Sequence, residues 1–104
     1  METIAFRMQL RPGQEEAYRA RHDAIWPELA QTLRDAGIAD YWIFFDDETH
    51  HLFAVLKRSA DHTMDRLADE DVMKRWWAHM ADLMATHPDR RPRQHSLKPM
   101  FHLA

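Results

Sequence analysis

Cysteine is absent from this chain of 104 residues, and glycine occurs only as Gly13 and Gly37. Without cysteine the chain has no disulfide framework, no thiolate nucleophile and no cysteine-ligated zinc. Two isolated glycines cannot form the glycine-rich loops that hold phosphates, so nucleotide-binding sites of the Walker and Rossmann types are excluded. Asparagine is missing as well. A functional site in this chain must therefore be built from other side chains.

The chain also lacks a strong excess of one charge and any long apolar run. Its net charge is -3, so we expect no nucleic-acid partner, which would require a basic face. No apolar run approaches the roughly 20 residues of a membrane span, so we expect no membrane partner either. Residues 1–10 contain no basic-then-apolar leader, which favours a cytoplasmic location. Apolar residues at 45% and charged residues at 30% are typical of one soluble domain over residues 1–104.

The pattern of polarity predicts secondary structure in the order β-α-β-β-α-β. Apolar and polar side chains alternate over residues 3–10, which is typical of a strand. Pro27 suits the first position of a helix, and Gly37 suits its C-terminal cap. We expect strands at 3–10, 40–45, 51–57 and 97–103, and helices at 14–25, 27–36, 59–67 and 70–84.

This order predicts an α+β, ferredoxin-like fold, with a four-stranded antiparallel sheet and helices on one face. Both sides of strands 40–45 and 51–57 are apolar, with Trp42 and Phe44 facing away from Tyr41, Ile43 and Phe45. A sheet with one wet face should alternate between apolar and polar residues instead. The second face therefore requires a cover, and we expect a homodimer of the dimeric α+β barrel type. The alternative is that the helices wrap around more of the sheet.

Tyr18 and His22 are the first candidates for chemistry. They are four residues apart, so on a helix they lie one above the other. We expect the helix to pack through the small residues Ala17, Ala20 and Ala24, leaving this pair directed towards the edge of the sheet. An imidazole beside a phenol can transfer protons near neutral pH. The plainer alternative is an ordinary surface histidine.

Trp76 and Trp77 are the second candidates. Neighbours on a helix point about 100° apart, so at least one of the two lies on the flank of the apolar stripe. They are either core residues or a platform for a ligand with an apolar face, such as a sugar ring. Tyr41 could add a hydroxyl to the same pocket, or be an aromatic residue at the sheet edge.

A metal site is not expected. His50 and His51 are adjacent, so they point apart in an extended chain, and no HExxH spacing occurs. The basic residues at 90–93 are typical of a solvated loop and are too few for a nucleic-acid patch. Nothing in the sequence calls for a cofactor.

Two motifs resemble those of one family. The segment YRARHDAIWPEL at 18–29 is similar to the Y-x-x-R-H-x-x-I-W-P-E-L stretch of L-rhamnose mutarotases, and RWWAHM at 75–80 is similar to their R-W-W-x-x-M. The resemblance runs over essentially the whole chain. It implies a cytoplasmic homodimer that interconverts the α and β anomers of L-rhamnose without a cofactor. It implies further that His22 is the proton donor and that the substrate-binding residues are Tyr18, Tyr41, Trp76 and Trp77.

The chemistry of anomer exchange agrees with this residue set. Opening a pyranose requires a proton at the ring oxygen and removal of one from the anomeric hydroxyl, which a group with a pKa near 7 can support. The complementary base remains open between Tyr18, Tyr41, a carboxylate and water. Monooxygenases of the same fold are an alternative, but their sites often use asparagine, which this chain lacks. A binding module without catalysis is the other alternative.

Overall fold

The fold is built on one four-stranded antiparallel sheet. The structure is a computed structural model that describes residues 1–104. Its strands are β1 (Glu2–Gln9), β2 (Ile38–Asp46), β3 (His51–Arg58) and β4 (His95–Leu97), in the spatial order β2-β3-β1-β4. The helices are α1 (Glu15–Asp23), α2 (Pro27–Asp35) and α3 (Asp71–Met80), with 3₁₀ turns at Met64–Asp69 and Ala81–Leu83. This topology confirms the predicted ferredoxin-like α+β fold.

The core lies between one face of the sheet and the helices. Phe6 pairs with Ala54, and Met8 pairs with Leu52, which places their side chains side by side on the helix-facing side. Leu29 of α2 packs into the same cluster. Burying each large apolar side chain contributes about 1.5–3 kcal/mol, so this shared surface holds the helices on the sheet.

Gly37 makes the turn from α2 into β2. Its φ is +94°, a left-handed conformation that favours glycine. A Cβ at this position would collide with the Ser59 hydroxyl and lie 3.1 Å from the Cα of His62. The predicted cap at the end of this helix is therefore required for two reasons, conformation and space.

Three predicted elements differ from the structure. The helix expected at 70–84 ends as α3 at Met80, continues as a 3₁₀ turn, and gives way to a bridge between Met84 and Leu10. Of the helix expected at 59–67, only the part from Met64 is helical, as a 3₁₀ turn that extends to Asp69. The last strand expected at 97–103 is wrong: β4 ends at Leu97, where its pairing with β1 stops at Ala5, and residues 98–104 are exposed and pair with no strand.

The second face of the sheet is not covered by this chain. Trp42 is 61% exposed and Phe44 is 57% exposed. Their rings stack on each other with centroids 6.1 Å apart and planes inclined by 11°. The expectation that the helices leave this face open is confirmed, and the alternative of helices wrapped around it is wrong. None of the helices has the length and apolar character of a membrane span.

Candidate active site

A cleft of about 1080 Å³ opens between the helices and the sheet. Tyr18 and His22 reach it from α1, Tyr41 from β2, and Trp76 and Trp77 from α3. The structure thus brings every predicted site residue to one cavity, although they come from three separate elements of the fold.

His22 is held by a hydrogen bond within its own helix. Its Nδ1 lies 3.0 Å from the carbonyl oxygen of Tyr18. Because a carbonyl oxygen can only accept, Nδ1 carries the hydrogen, and the neutral ring keeps its free lone pair on Nε2. Burial lowers the pKa of His22, and the Tyr18 carbonyl and Asp23 oppose this only in part. The neutral imidazole therefore dominates near pH 7.

Tyr18 lies directly against this imidazole. Its ring centroid is 4.3 Å from that of His22, and the residue is 8% exposed. Burial, with a smaller contribution from Tyr41, raises the pKa of the Tyr18 hydroxyl far above its ordinary value. This phenol therefore keeps its proton and can donate a hydrogen bond.

Tyr41 lies on the sheet side of the cleft. The residue is 38% exposed, and its ring meets Phe6 edge-on with centroids 6.4 Å apart. Burial of the hydroxyl raises the pKa of Tyr41 to about 12. Since both phenols stay protonated, neither is suited to be the base that complements His22. Of the alternatives left open by the sequence, a carboxylate or water fits better.

The two tryptophans occupy different environments, as their spacing predicts. Trp76 is 6% exposed and meets the His22 ring edge-to-face, with centroids 5.4 Å apart and planes at 88°. On its other side it meets Trp26, with centroids 5.1 Å apart. Trp77 is half-buried and packs against the edge of the core. Trp76 is thus both a core residue and a wall of the cleft, and Trp77 lies on the flank.

The packing of α1 differs from the sequence expectation. Tyr18 is the buried residue of this helix, whereas Ala20 and Ala24 are exposed. A phenol ring offers far more apolar surface to the core than alanine methyl groups do, so it determines the face that is buried. As a result Tyr18 and His22 point into the cleft between helices and sheet, instead of towards the sheet edge.

Arg21, which sequence reasoning did not select, ties α1 to the end of α3. Its Nη1 donates to the His79 carbonyl oxygen at 2.6 Å and to Asp82 Oδ1 at 2.8 Å, and Nη2 donates to Asp82 Oδ2 at 3.3 Å. These bonds span more than 50 residues of sequence, so no local pattern could reveal them. They hold the helix that carries His22 against the helix that carries Trp76.

The basic loop 90–93 borders the cleft. Arg91 and Pro92 line it, and Pro92 is buried, whereas the side chains of Arg90, Arg91 and Arg93 are exposed, as expected for a solvated loop. Arg19 and Asp23 of α1 add further charged groups to the lining. No group of three or more histidine, aspartate or glutamate side chains is arranged to hold a metal ion.

Fold and cleft together define a small α+β protein of the ferredoxin-like type, with a cleft lined by aromatic rings and one histidine. A family model described as L-rhamnose mutarotase matches residues 3–103. The chain belongs to the L-rhamnose mutarotase family, a family of isomerases.

Relatives and solved structures agree with this assignment. The chain is 72% identical over 103 residues to an L-rhamnose mutarotase of Burkholderia cenocepacia (strain HI2424), covering 99% of each chain. It is 57% identical to one of Paraburkholderia phytofirmans, covering 99% of this chain and 96% of that one. The crystal structure of L-rhamnose mutarotase FA22100 from Formosa agariphila superposes with a TM-score of 0.93 at 44% identity, covering 100% of both chains. Rv0793 from Mycobacterium tuberculosis, at 19% identity and a TM-score of 0.60 over 98% and 97% of the two chains, shares the fold.

Proposed function

We propose that this chain interconverts the α and β anomers of L-rhamnose by opening and reclosing the pyranose ring, with His22 as the group that moves the proton. The observation that carries the proposal is the orientation of His22. Its Nδ1 is engaged by the Tyr18 carbonyl at 3.0 Å, so Nε2 is the nitrogen left for a ligand in the cleft. No cofactor enters the reaction.

The proton balance of the reaction closes within one cycle. Protonated His22 donates from Nε2 to the ring oxygen as the bond between that oxygen and the anomeric carbon breaks. A carboxylate or water takes the proton of the anomeric hydroxyl, which leaves an aldehyde. The carbonyl turns, the hydroxyl formed from the ring oxygen attacks its other face, and both protons return. General acid–base catalysis of this kind contributes roughly 10²–10⁴-fold.

Burial lowers the pKa of His22, so less of the enzyme carries the donor proton at neutral pH, although each imidazolium is a stronger acid. Because the gain in acid strength is only partly expressed in the rate, donation by His22 should become faster as the pH falls towards its pKa. The uncatalysed reaction already proceeds in water, so a modest rate gain is sufficient for function.

The remaining side chains of the cleft supply substrate binding. Tyr18 and Tyr41 keep their hydroxyl protons and can donate to sugar oxygens. The indoles of Trp76 and Trp77 can pack against the C–H face and the methyl group of a 6-deoxy sugar.

Saturation-transfer NMR tests the proposal. One anomeric proton of L-rhamnose is saturated, and the loss of intensity at the other anomer measures their exchange. We expect exchange to rise well above the buffer rate in proportion to protein concentration. If the exchange rate stayed at the value measured in buffer alone, the proposal that this chain has mutarotase activity would be wrong.

The same proposal includes a homodimer in the cytoplasm, as the family resemblance implies. A second copy packed sheet against sheet would bury the exposed rings of Trp42 and Phe44. Sedimentation should give the mass of two chains at micromolar concentration, and Trp42→Glu should shift it towards one. A single-chain mass for the unmutated protein would contradict the dimer. Cell fractionation tests the location.

A further inference from the structure

The pairing between β2 and β3 shifts by one residue at Asp40 and Tyr41. Ala39 is paired with Lys57, but the next paired residue of β2 is Trp42, opposite Val55. Asp40 and Tyr41 therefore share one partner position, that of Leu56. Two residues opposite one is the pattern of a β-bulge.

This bulge decides which side chains of β2 face the cleft. Side chains alternate between the two faces of a sheet, so one inserted residue reverses every side chain that follows. Ile38, before the bulge, is buried on the helix side, whereas after it Ile43 packs against the core and Trp42 is exposed. Without the insertion Trp42 would follow Ile38 to the helix side, and Tyr41 would follow Ala39 to the open face.

Asp40 gives the bulge its conformation. Its φ is +47°, in the left-handed region that few residues other than glycine adopt. Aspartate enters this region more easily than most residues because its short polar side chain can bond locally, whereas a β-branched residue is strongly disfavoured. The only ion pair of its carboxylate is with Lys57 Nζ at 3.8 Å, and both side chains are more than half exposed, so this ion pair contributes little.

We propose that Asp40 is a positioning residue, whose left-handed backbone holds the bulge that directs Tyr41 into the cleft and so sets the affinity for the sugar. As far as it concerns the ligand, this inference rests on the proposed function. The backbone conformation of Asp40, an exposed residue, thus affects sugar binding through the side chain of its neighbour Tyr41.

The test is a series of substitutions graded by their tolerance of positive φ. Asp40→Gly and Asp40→Asn accept the conformation, Asp40→Ala accepts it less well, and Asp40→Val least of all. The matched control is His50→Val, because His50 has a φ of +61° in the β2–β3 turn and does not line the cleft. Each variant is assayed by NMR anomer exchange over a range of L-rhamnose concentrations, with its Tm recorded beside the kinetics.

We expect the apparent KM of the glycine and asparagine variants to stay within about twofold of the unmutated protein, and that of Asp40→Val to rise about tenfold. His50→Val should lower the Tm and leave KM unchanged. If Asp40→Val does not fold, Asp40→Ala decides the point by its KM relative to Asp40→Gly. An unchanged KM across the series would overturn the proposal, and so would an asparagine variant as impaired as the valine one, since that outcome would assign the effect to the carboxylate.

A second readout does not depend on activity. The chain has 2 tyrosines, so in a Tyr18→Phe background the phenolate absorbance reports Tyr41 alone. With its pKa at about 12, Tyr41 should be largely unionised at roughly pH 10.5, and in the Asp40→Val variant it should be mostly ionised, as an exposed phenol is. Equal ionisation in the two proteins would contradict the role of the bulge. If the unmutated protein showed no anomer exchange, the proposed function would be wrong. The titration of Tyr41 would still test whether Asp40 positions this side chain.

Discussion

His22 donates its Nδ1 hydrogen to the carbonyl oxygen of Tyr18, one helical turn earlier, at 3.0 Å. The bond orients the ring and selects the tautomer, so Nε2 is the nitrogen that faces a ligand. Because the acceptor belongs to the backbone, this orientation is maintained by the helix itself and does not require a second titratable side chain. His22 is therefore oriented before any ligand enters the cleft.

The stability of the protein should depend on pH through His22. Burial lowers the pKa of His22 below its ordinary value of 6.5, so between the folded-state and the unfolded-state pKa the unfolded chain binds more protons than the folded one. The contribution of this group to stability is then complete above pH 6.5 and is lost as the pH falls through the folded-state pKa. Chemical denaturation across this pH range should show that the free energy of unfolding falls more steeply with decreasing pH for the unmutated protein than for His22→Gln. Parallel pH profiles would show that the folded state does not disfavour the imidazolium.

Replacement of the paired tryptophans should separate stability from binding. Trp76 is buried between two aromatic rings, so Trp76→Ala should lower the free energy of unfolding by about 3–5 kcal/mol. Trp77 is half-buried, so Trp77→Ala should cost less stability and chiefly raise the apparent KM for L-rhamnose. Denaturant titration and NMR exchange measure the two effects. Equal losses of stability with KM unchanged would assign both indoles to the core alone.

Arg21 should act on catalysis through the position of its helix. Arg21→Lys cannot reproduce the paired bonds to Asp82 together with the bond to the His79 carbonyl. We expect kcat to fall about tenfold because a small displacement of His22 misaligns proton transfer. The control is Arg75→Lys, since Arg75 also pairs with carboxylates, those of Asp71 at 2.9 Å and Glu28 at 3.3 Å, and does not line the cleft. A loss of Tm without a change in kcat would limit Arg21 to a structural role.

Local signals in the sequence predicted most of the fold. Period-two alternation identified β1, Pro27 marked the start of α2, and Gly37 marked its end. Each of these features depends on neighbouring residues, so it can be found without knowledge of the tertiary structure. The candidate site residues, which were selected with the help of the family resemblance, all line the cleft.

The features that were missed depend on distant parts of the chain. The bonds from Arg21 to Asp82 and the pairing of Met84 with Leu10 exist only after the helices have packed on the sheet. β4 ends at Leu97 although β1 continues to Glu2, so the apolar residues that follow Leu97 do not by themselves extend the pairing. The bulge at Asp40 could not be predicted from the sequence either, because an aspartate at this position is also compatible with a regular strand of alternating polarity.

The most direct test of the account compares anomer exchange in the unmutated protein, in His22→Gln and in His95→Gln. His95 lies on β4, is exposed and does not line the cleft, so it controls for the loss of a histidine. We predict that His22→Gln stays folded and loses about 10²-fold or more of the exchange rate, while His95→Gln retains it. An exchange rate in folded His22→Gln equal to that of the unmutated protein would contradict the central claim that this imidazole moves the proton.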